Sequence, residues 1–207
     1  MAQEARTFTG RNQYHEEFEE RTSTWLDSQG FDVTPVPIYS HAGRSLLDIL
    51  KTRNSPTALF TRNHADLYVQ HRTLPIEFQL ELKTRQTAAE YNHKQDMTIE
   101  AVQLAIHVHC ARFGVETLYA YWNPYRKKAA GFWASEPPPI REILIPARWS
   151  GDALEWMETL FRNTFPGVRR RIPDQCNGSG TPMVIIDETD VVGLPHPGAM
   201  IRELLTT

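Results

Sequence analysis

Asp66, Glu81 and Lys83 are the residues whose types and spacing most clearly suit chemistry. Glu81 and Lys83 stand two apart in Ile76-Glu77-Phe78-Gln79-Leu80-Glu81-Leu82-Lys83, where apolar and polar residues alternate. A period of two is that of a strand, so Ile76, Phe78, Leu80 and Leu82 share one face and Glu77, Gln79, Glu81 and Lys83 the other. A turn near Thr73 folds the preceding segment back alongside and sets Asp66 opposite a residue near position 80, bringing the two carboxylates together at one end of the pair. Two carboxylates and an ammonium in one small volume suit metal-assisted hydrolysis of a phosphodiester. Mg²⁺ takes hard oxygen ligands and keeps several waters when only one or two carboxylates hold it. A metal-bound water ionises near neutral pH, and a lysine beside it orients the water or offsets charge developing on the phosphate. The carbonyl of Leu82, between Glu81 and Lys83, is a further candidate ligand.

The elements that must position these residues are legible in outline. Tyr14, Phe18, Thr22, Trp25 and Leu26 recur near helical spacing and predict a helix over 12–28, with Gly30 at its C-terminal cap. A short strand follows over 31–36, and a short helix is expected near 45–51 within the poorly patterned stretch 37–63. The hairpin has strands over 66–70 and 75–84 around a turn at 71–74. Met97, Ala101, Leu104, Ala105 and Val108 predict a helix over 94–113, ended by Gly114. Strands are expected over 116–122 and 130–134, and Pro137-Pro138-Pro139 makes a stiff break. Beyond it lie a strand over 142–145, a helix over 152–165, a basic loop, a strand over 183–186 and a short terminal helix. This order predicts an α/β fold, a mixed β-sheet flanked by helices, in a single domain over 1–207. Its core spans 12–135, and 140–207 forms a C-terminal α+β elaboration.

The bulk properties narrow the setting. With 207 residues, 41% of them hydrophobic, the chain is long enough for a sizeable core. No apolar run approaches the roughly 20 residues of a membrane-spanning helix, and the first residues lack the apolar stretch of a secretory signal. Cys110 and Cys176 are too few for a disulfide framework or a zinc knuckle. A reducing, cytoplasmic location is therefore expected, with no membrane partner. The formal charge of −3 argues against a uniformly basic nucleic-acid-binding surface. Its distribution allows a basic groove around an acidic site: Glu16, Glu17, Glu19 and Glu20 crowd the first helix, while Arg126-Lys127-Lys128 and Arg169-Arg170-Arg171 form two basic knots.

Asp66 followed by Glu81-Leu82-Lys83 resembles the bipartite signature of the PD-(D/E)XK nuclease superfamily, with Ala65 where the motif has its proline. The resemblance covers about residues 12–123. It extends upstream to the glutamate-rich helix ending in Gly30-Phe31, which is similar to that of the archaeal Holliday-junction resolvases. It implies a restriction-endonuclease-like fold and a Mg²⁺-dependent deoxyribonuclease in which Mn²⁺ substitutes for Mg²⁺. Asp66, Glu81 and the Leu82 carbonyl would be metal ligands and Lys83 the catalytic lysine. The helix glutamate of the family falls on Glu19, with Glu17 the second choice, since these two flank the apolar stripe. Gln103 corresponds to a glutamine that exonuclease-like members follow four residues later with a tyrosine, where this chain has His107. The implied partner is DNA, with RNA an open alternative, and the expected assembly is a homodimer.

Bland readings stand beside these. Glu77, Gln79, Glu81 and Lys83 also suit the solvated face of an edge hairpin, and the acidic helix suits a solvated face. Tyr119, Tyr121 and Trp122 read as core strand residues, and the histidines as ordinary polar positions, His64 excepted for its place two before Asp66. A non-catalytic nucleic-acid- or protein-binding module that retains the nuclease-like fold is the alternative function.

Overall fold

The computed structural model describes residues 8–36, 63–84, 96–124, 127–147, 149–172, 181–194, 198–199 and 202. The helix expected near 45–51 and Arg126 of the first basic knot lie outside them, as does most of the terminal helix. The elements are α1 (Phe8–Ser28), β1 (Phe31–Pro35), β2 (Leu67–His71), β3 (Glu77–Thr84), β4 (Asp96–Glu100), α2 (Ala101–Ala111), β5 (Thr117–Asn123), β6 (Lys128–Trp133), β7 (Ile140–Leu144), α3 (Gly151–Thr164), β8 (Arg170–Arg171), β9 (Met183–Asp187) and β10 (Val192–Leu194). The fold is mixed α/β. One sheet has the order β1-β2-β3-β5-β6-β10 and a second the order β4-β9-β7-β8. In the larger sheet β3 and β5 run parallel, while the other neighbours are antiparallel. No described helix is long and apolar enough to cross a membrane.

α1 stops where the sequence supplies its stop. Gly30 adopts φ of +89°, a left-handed conformation that costs a residue with a Cβ far more than it costs glycine. The chain then turns directly into β1, and Arg72 bonds Asp27 and Asp32 across this corner. On its buried side α1 sets Phe18, Thr22 and Leu26 against one face of the large sheet. Phe18 and Leu26 pack there with Leu67, Val69, Phe78, Leu80, Leu82, Leu118 and Ala120. Burying each such side chain contributes on the order of 1.5–3 kcal/mol before chain entropy is counted.

The opposite face of the sheet presents Tyr119 and Tyr121, which alternate with Leu118 and Ala120 along β5. α2 covers this face and is in turn covered by the second sheet and α3. Leu104, Ala105 and Val108 of α2 share one core with Met97 and Ile99 of β4, Val184 and Ile186 of β9, and Met157 and Phe161 of α3. α2 is consequently buried along most of its length, from Ala101 through Val108.

The hairpin register follows the expected one. Leu67 pairs with Leu80 and Val69 with Phe78, which sets Asp66, just before β2, level with Glu81. Two readings are corrected. Ile76 precedes β3 and is 40% exposed instead of joining the apolar face. The helix expected over 94–113 is β4 followed by α2. In β4, Met97 and Ile99 are buried while Thr98 is exposed, an alternation with a period of two. The strand forms because β9 offers it a partner, from Asp96↔Asp187 to Glu100↔Met183. Residues 140–207 also reach back into the large sheet, through β10 paired to β6.

Candidate active site

Glu81 faces α2. In the parallel ladder it stands level with Tyr119, and Lys83 with Tyr121, so both charged residues lie on the tyrosine face. The polar stripe of β3 is therefore no solvated outer face at this end: Glu81 is 1% exposed. Its Oε1 is 2.5 Å from Lys83 Nζ, and its Oε2 is buried without a hydrogen-bond partner among the described residues. Asp66 sits in the bend before β2, half-buried, and its Oδ2 accepts from the Leu82 amide at 2.8 Å. The Asp66 carbonyl accepts from Val36 N at 2.9 Å, which anchors the bend from β1. Asp66, Glu81, Leu82 and Lys83 thus come together as the spacing predicts.

The electrostatics are those of a carboxyl cluster with too little positive charge. Burial pushes the Glu81 carboxyl up to about 8, Lys83 pulls against this, and Asp66 and Glu100 add to the rise. Burial would favour the neutral amine of Lys83, but Glu81, Glu100 and Asp66 outweigh it and hold Lys83 as an ammonium. A buried carboxyl oxygen without a partner, beside a second carboxylate, is a place where a divalent cation would be stabilised. Among the described residues no three His, Cys, Asp or Glu side chains form a complete metal cage. A cation here would be held by Asp66, Glu81, the Leu82 carbonyl and water, a donor set of hard oxygens that suits Mg²⁺ and Mn²⁺.

Glu100 is the acidic neighbour that the sequence pattern hid. It ends β4 and forms the N-cap of α2, half-buried and without a side-chain cap bond, and its charge bears on Glu81, Lys83 and Tyr119. Inside a long predicted helix it had no reason to stand out. Glu19, by contrast, lies on α1, across the sheet from the Glu81 face, with its carboxylate 3.9 Å from His15. Glu17 pairs with Arg21. The sequence-predicted helix glutamates are therefore not brought to Glu81 through any described contact.

α2 closes the site from above. Gln103 Nε2 donates to the carbonyl of His64 at 3.0 Å, tying the helix to the approach to Asp66. His107, one turn on, is 2% exposed and shares a 2.7 Å hydrogen bond between its Nδ1 and the Tyr119 hydroxyl. Burial, followed by the charges of Lys83 and His64, lowers His107 to about 3. Burial and the charges of Glu81, Glu100 and Asp66 keep the Tyr119 hydroxyl protonated.

No protein-family model matches the sequence, and no curated protein matches it. The solved structures to which the chain is similar include the following two. One is Hjc, a Holliday junction resolvase from Archaeoglobus fulgidus: TM-score 0.37, 19% identity, 61% of this chain and 79% of that one covered. The other is D212, a nuclease from a fusselovirus: TM-score 0.40, 11% identity, 96% of this chain and 94% of that one covered.

In the second basic knot Arg171 is engaged within the molecule. Arg171 makes two bonds to Glu142, at 3.0 and 3.1 Å. Arg141, close by, forms a two-pronged pair with Asp96, both bonds at 2.7 Å. These guanidiniums brace the second sheet.

Proposed function

We propose that the chain is a divalent-metal-dependent nuclease that hydrolyses DNA phosphodiester bonds. The observation that carries this reading is Glu81: a carboxyl buried on the sheet, one oxygen on Lys83, the other without a partner, level with Asp66. Such an arrangement costs folding free energy in the ionised form, because a buried carboxylate needs full pairing, a proton or a cation, and a divalent cation would satisfy the partnerless oxygen with the carboxylate ionised. Bound Mg²⁺ would supply an acidified water and charge neutralisation at the scissile phosphate.

The chain's own residues do the rest. Asp66, from the bend before β2, and Glu81, from β3, would hold the metal together with the Leu82 carbonyl. The Leu82 amide fixes the Asp66 carboxylate against β3. Lys83, held as an ammonium, is an electrostatic donor to the attacking water or to the phosphate oxygens as negative charge builds. Glu100, at the head of α2, and not Glu19, adds its negative charge to the Asp66–Glu81 pair. α2 covers Glu81 and excludes water from it, while the Lys83 side chain is partly exposed. Self-association into a homodimer belongs to the same proposal.

The test is a panel of labelled duplex, single-stranded and four-way-junction DNA, with RNA alongside, incubated with Mg²⁺, Mn²⁺ or EDTA. Cleavage in either metal, lost in EDTA and in Asp66→Ala, is expected, and the preferred substrate defines the subclass. Binding without cleavage under every condition would instead favour a non-catalytic binding module on this fold.

A further inference from the structure

Among the described residues, Glu81 Oε2, Gln103 Oε1 and His107 Nε2, buried between the large sheet and α2, have no hydrogen-bond partner. Gln103 and His107 are one turn apart and face the same way. Glu81 shares the Tyr119 face of the sheet, and the Tyr119 hydroxyl reaches His107. The three atoms thus belong to one thin layer, and none of them bonds another directly.

One water closes the donor count in this layer. Among the described residues the Tyr119 hydroxyl has one partner, His107 Nδ1, so its hydrogen meets an acceptor there only if the hydroxyl donates and Nδ1 carries no proton. His107 is neutral, so its proton sits on Nε2, a buried donor. Gln103 spends one of its two amide hydrogens on the His64 carbonyl, and its Oε1 is an acceptor. The Nε2 donor then faces Gln103 Oε1 and Glu81 Oε2, which accepts when ionised and donates when protonated, and in either state a single water, with two hydrogens and two lone pairs, satisfies all three.

Resting on the nuclease reading for its catalytic meaning, we propose that His107 is a positioning residue for Glu81. It is locked as the Nε2–H tautomer by Tyr119 and linked through one bound water to Glu81 Oε2 and Gln103 Oε1. The link holds the Glu81 carboxyl in one orientation, so that the metal meets a preformed ligand. Hydrogen-bond partners of this kind typically alter metal affinity by about 10–100-fold.

Two readouts test the proposal separately from the nuclease reading. The first is ring ¹⁵N NMR of His107 in the metal-free protein. The Nε2–H tautomer, with ring shifts that move in Glu81→Gln, is expected. The Nδ1–H tautomer, or shifts indifferent to Glu81→Gln, would overturn the link whether or not the protein cuts DNA. The second is Mn²⁺ calorimetry on folded His107→Leu and His107→Gln. Leucine removes the donor, whereas the glutamine amide restores one near the Nε2 position. About 10-fold or more weaker Mn²⁺ binding in His107→Leu, largely recovered in His107→Gln, is expected. Equal binding by all three proteins, or equal loss in both variants, would overturn the positioning role. A parent protein that binds no Mn²⁺ would remove the nuclease reading and His107's role in it, while the NMR result would still decide the hydrogen-bond link.

Discussion

At the residue scale the account turns on Glu81, whose carboxyl titrates near 8 in the folded protein because it is buried. An acid whose folded value lies above its unfolded one binds more protons when folded, so stability falls as pH rises between the two values. For Glu81 that window runs from 4.5 to about 8. His107 works in the opposite sense. Its folded value of about 3 lies below the ordinary 6.5, so it costs stability as pH falls through that range. Between about 4.5 and 6.5 the two slopes cancel, and above 6.5 that of Glu81 remains. Without metal, these groups should lower unfolding free energy by about 1 kcal/mol from pH 6.5 to 8. Denaturant titrations in EDTA would show this, and Glu81→Gln should flatten that limb. Lys83 gives a second expectation. In Lys83→Met the Glu81 carboxyl can remain protonated at pH 6, so the melting temperature there should change little. Cleavage should fall by about 100-fold or more, because the electrostatic donor is gone.

At the element scale, what was legible in the sequence was what local pattern can carry. The alternation from Phe78 to Lys83 gave the faces of β3, and the turn length gave a register that set Asp66 level with Glu81. Gly30 marked the end of α1 because no other residue takes φ of +89° so cheaply. Gly30→Ala would also bring its Cβ to 3.3 Å from the His71 ring. It should destabilise the protein by about 1 kcal/mol or more, read as a lower denaturant midpoint at unchanged slope. β4 was illegible for a physical reason. Met97 extends the helical stripe of Ala101, Leu104, Ala105 and Val108, and the partner that makes a strand of it, β9, lies some ninety residues downstream. That misreading hid Glu100 at the strand–helix junction. The buried polar pair on α2 left a fainter signal: Gln103 and His107, at i and i+4, are polar on a helix that is otherwise apolar nearly all round. If the junction matters as proposed, Glu100→Gln should weaken Mn²⁺ binding severalfold, and Glu19→Gln should leave it near the parent value. Calorimetry on the two variants compares them directly.

At the scale of the whole molecule, a formal charge of −3 is compatible with a phosphate-binding site only if positive charge is local and carried partly by metal. Arg141 and Arg171 are committed to Asp96 and Glu142, and Lys83 is the cation that bears on Glu81 at the cluster, so under the proposed function a bound metal would carry the rest of the positive charge. The two cores divide the labour. α1 and one sheet face make the support, while α2, held between two sheets, presses Gln103 and His107 onto the layer behind Glu81. The measurement that bears most directly on this account is single-turnover cleavage of labelled DNA at pH 7.5 by the parent, Asp66→Ala and Lys83→Ala, in Mg²⁺ and in EDTA. The account predicts cleavage by the parent in Mg²⁺ alone and its loss in both variants, each still folded. Cleavage that persists in EDTA, or that survives in folded Asp66→Ala and Lys83→Ala, would contradict it.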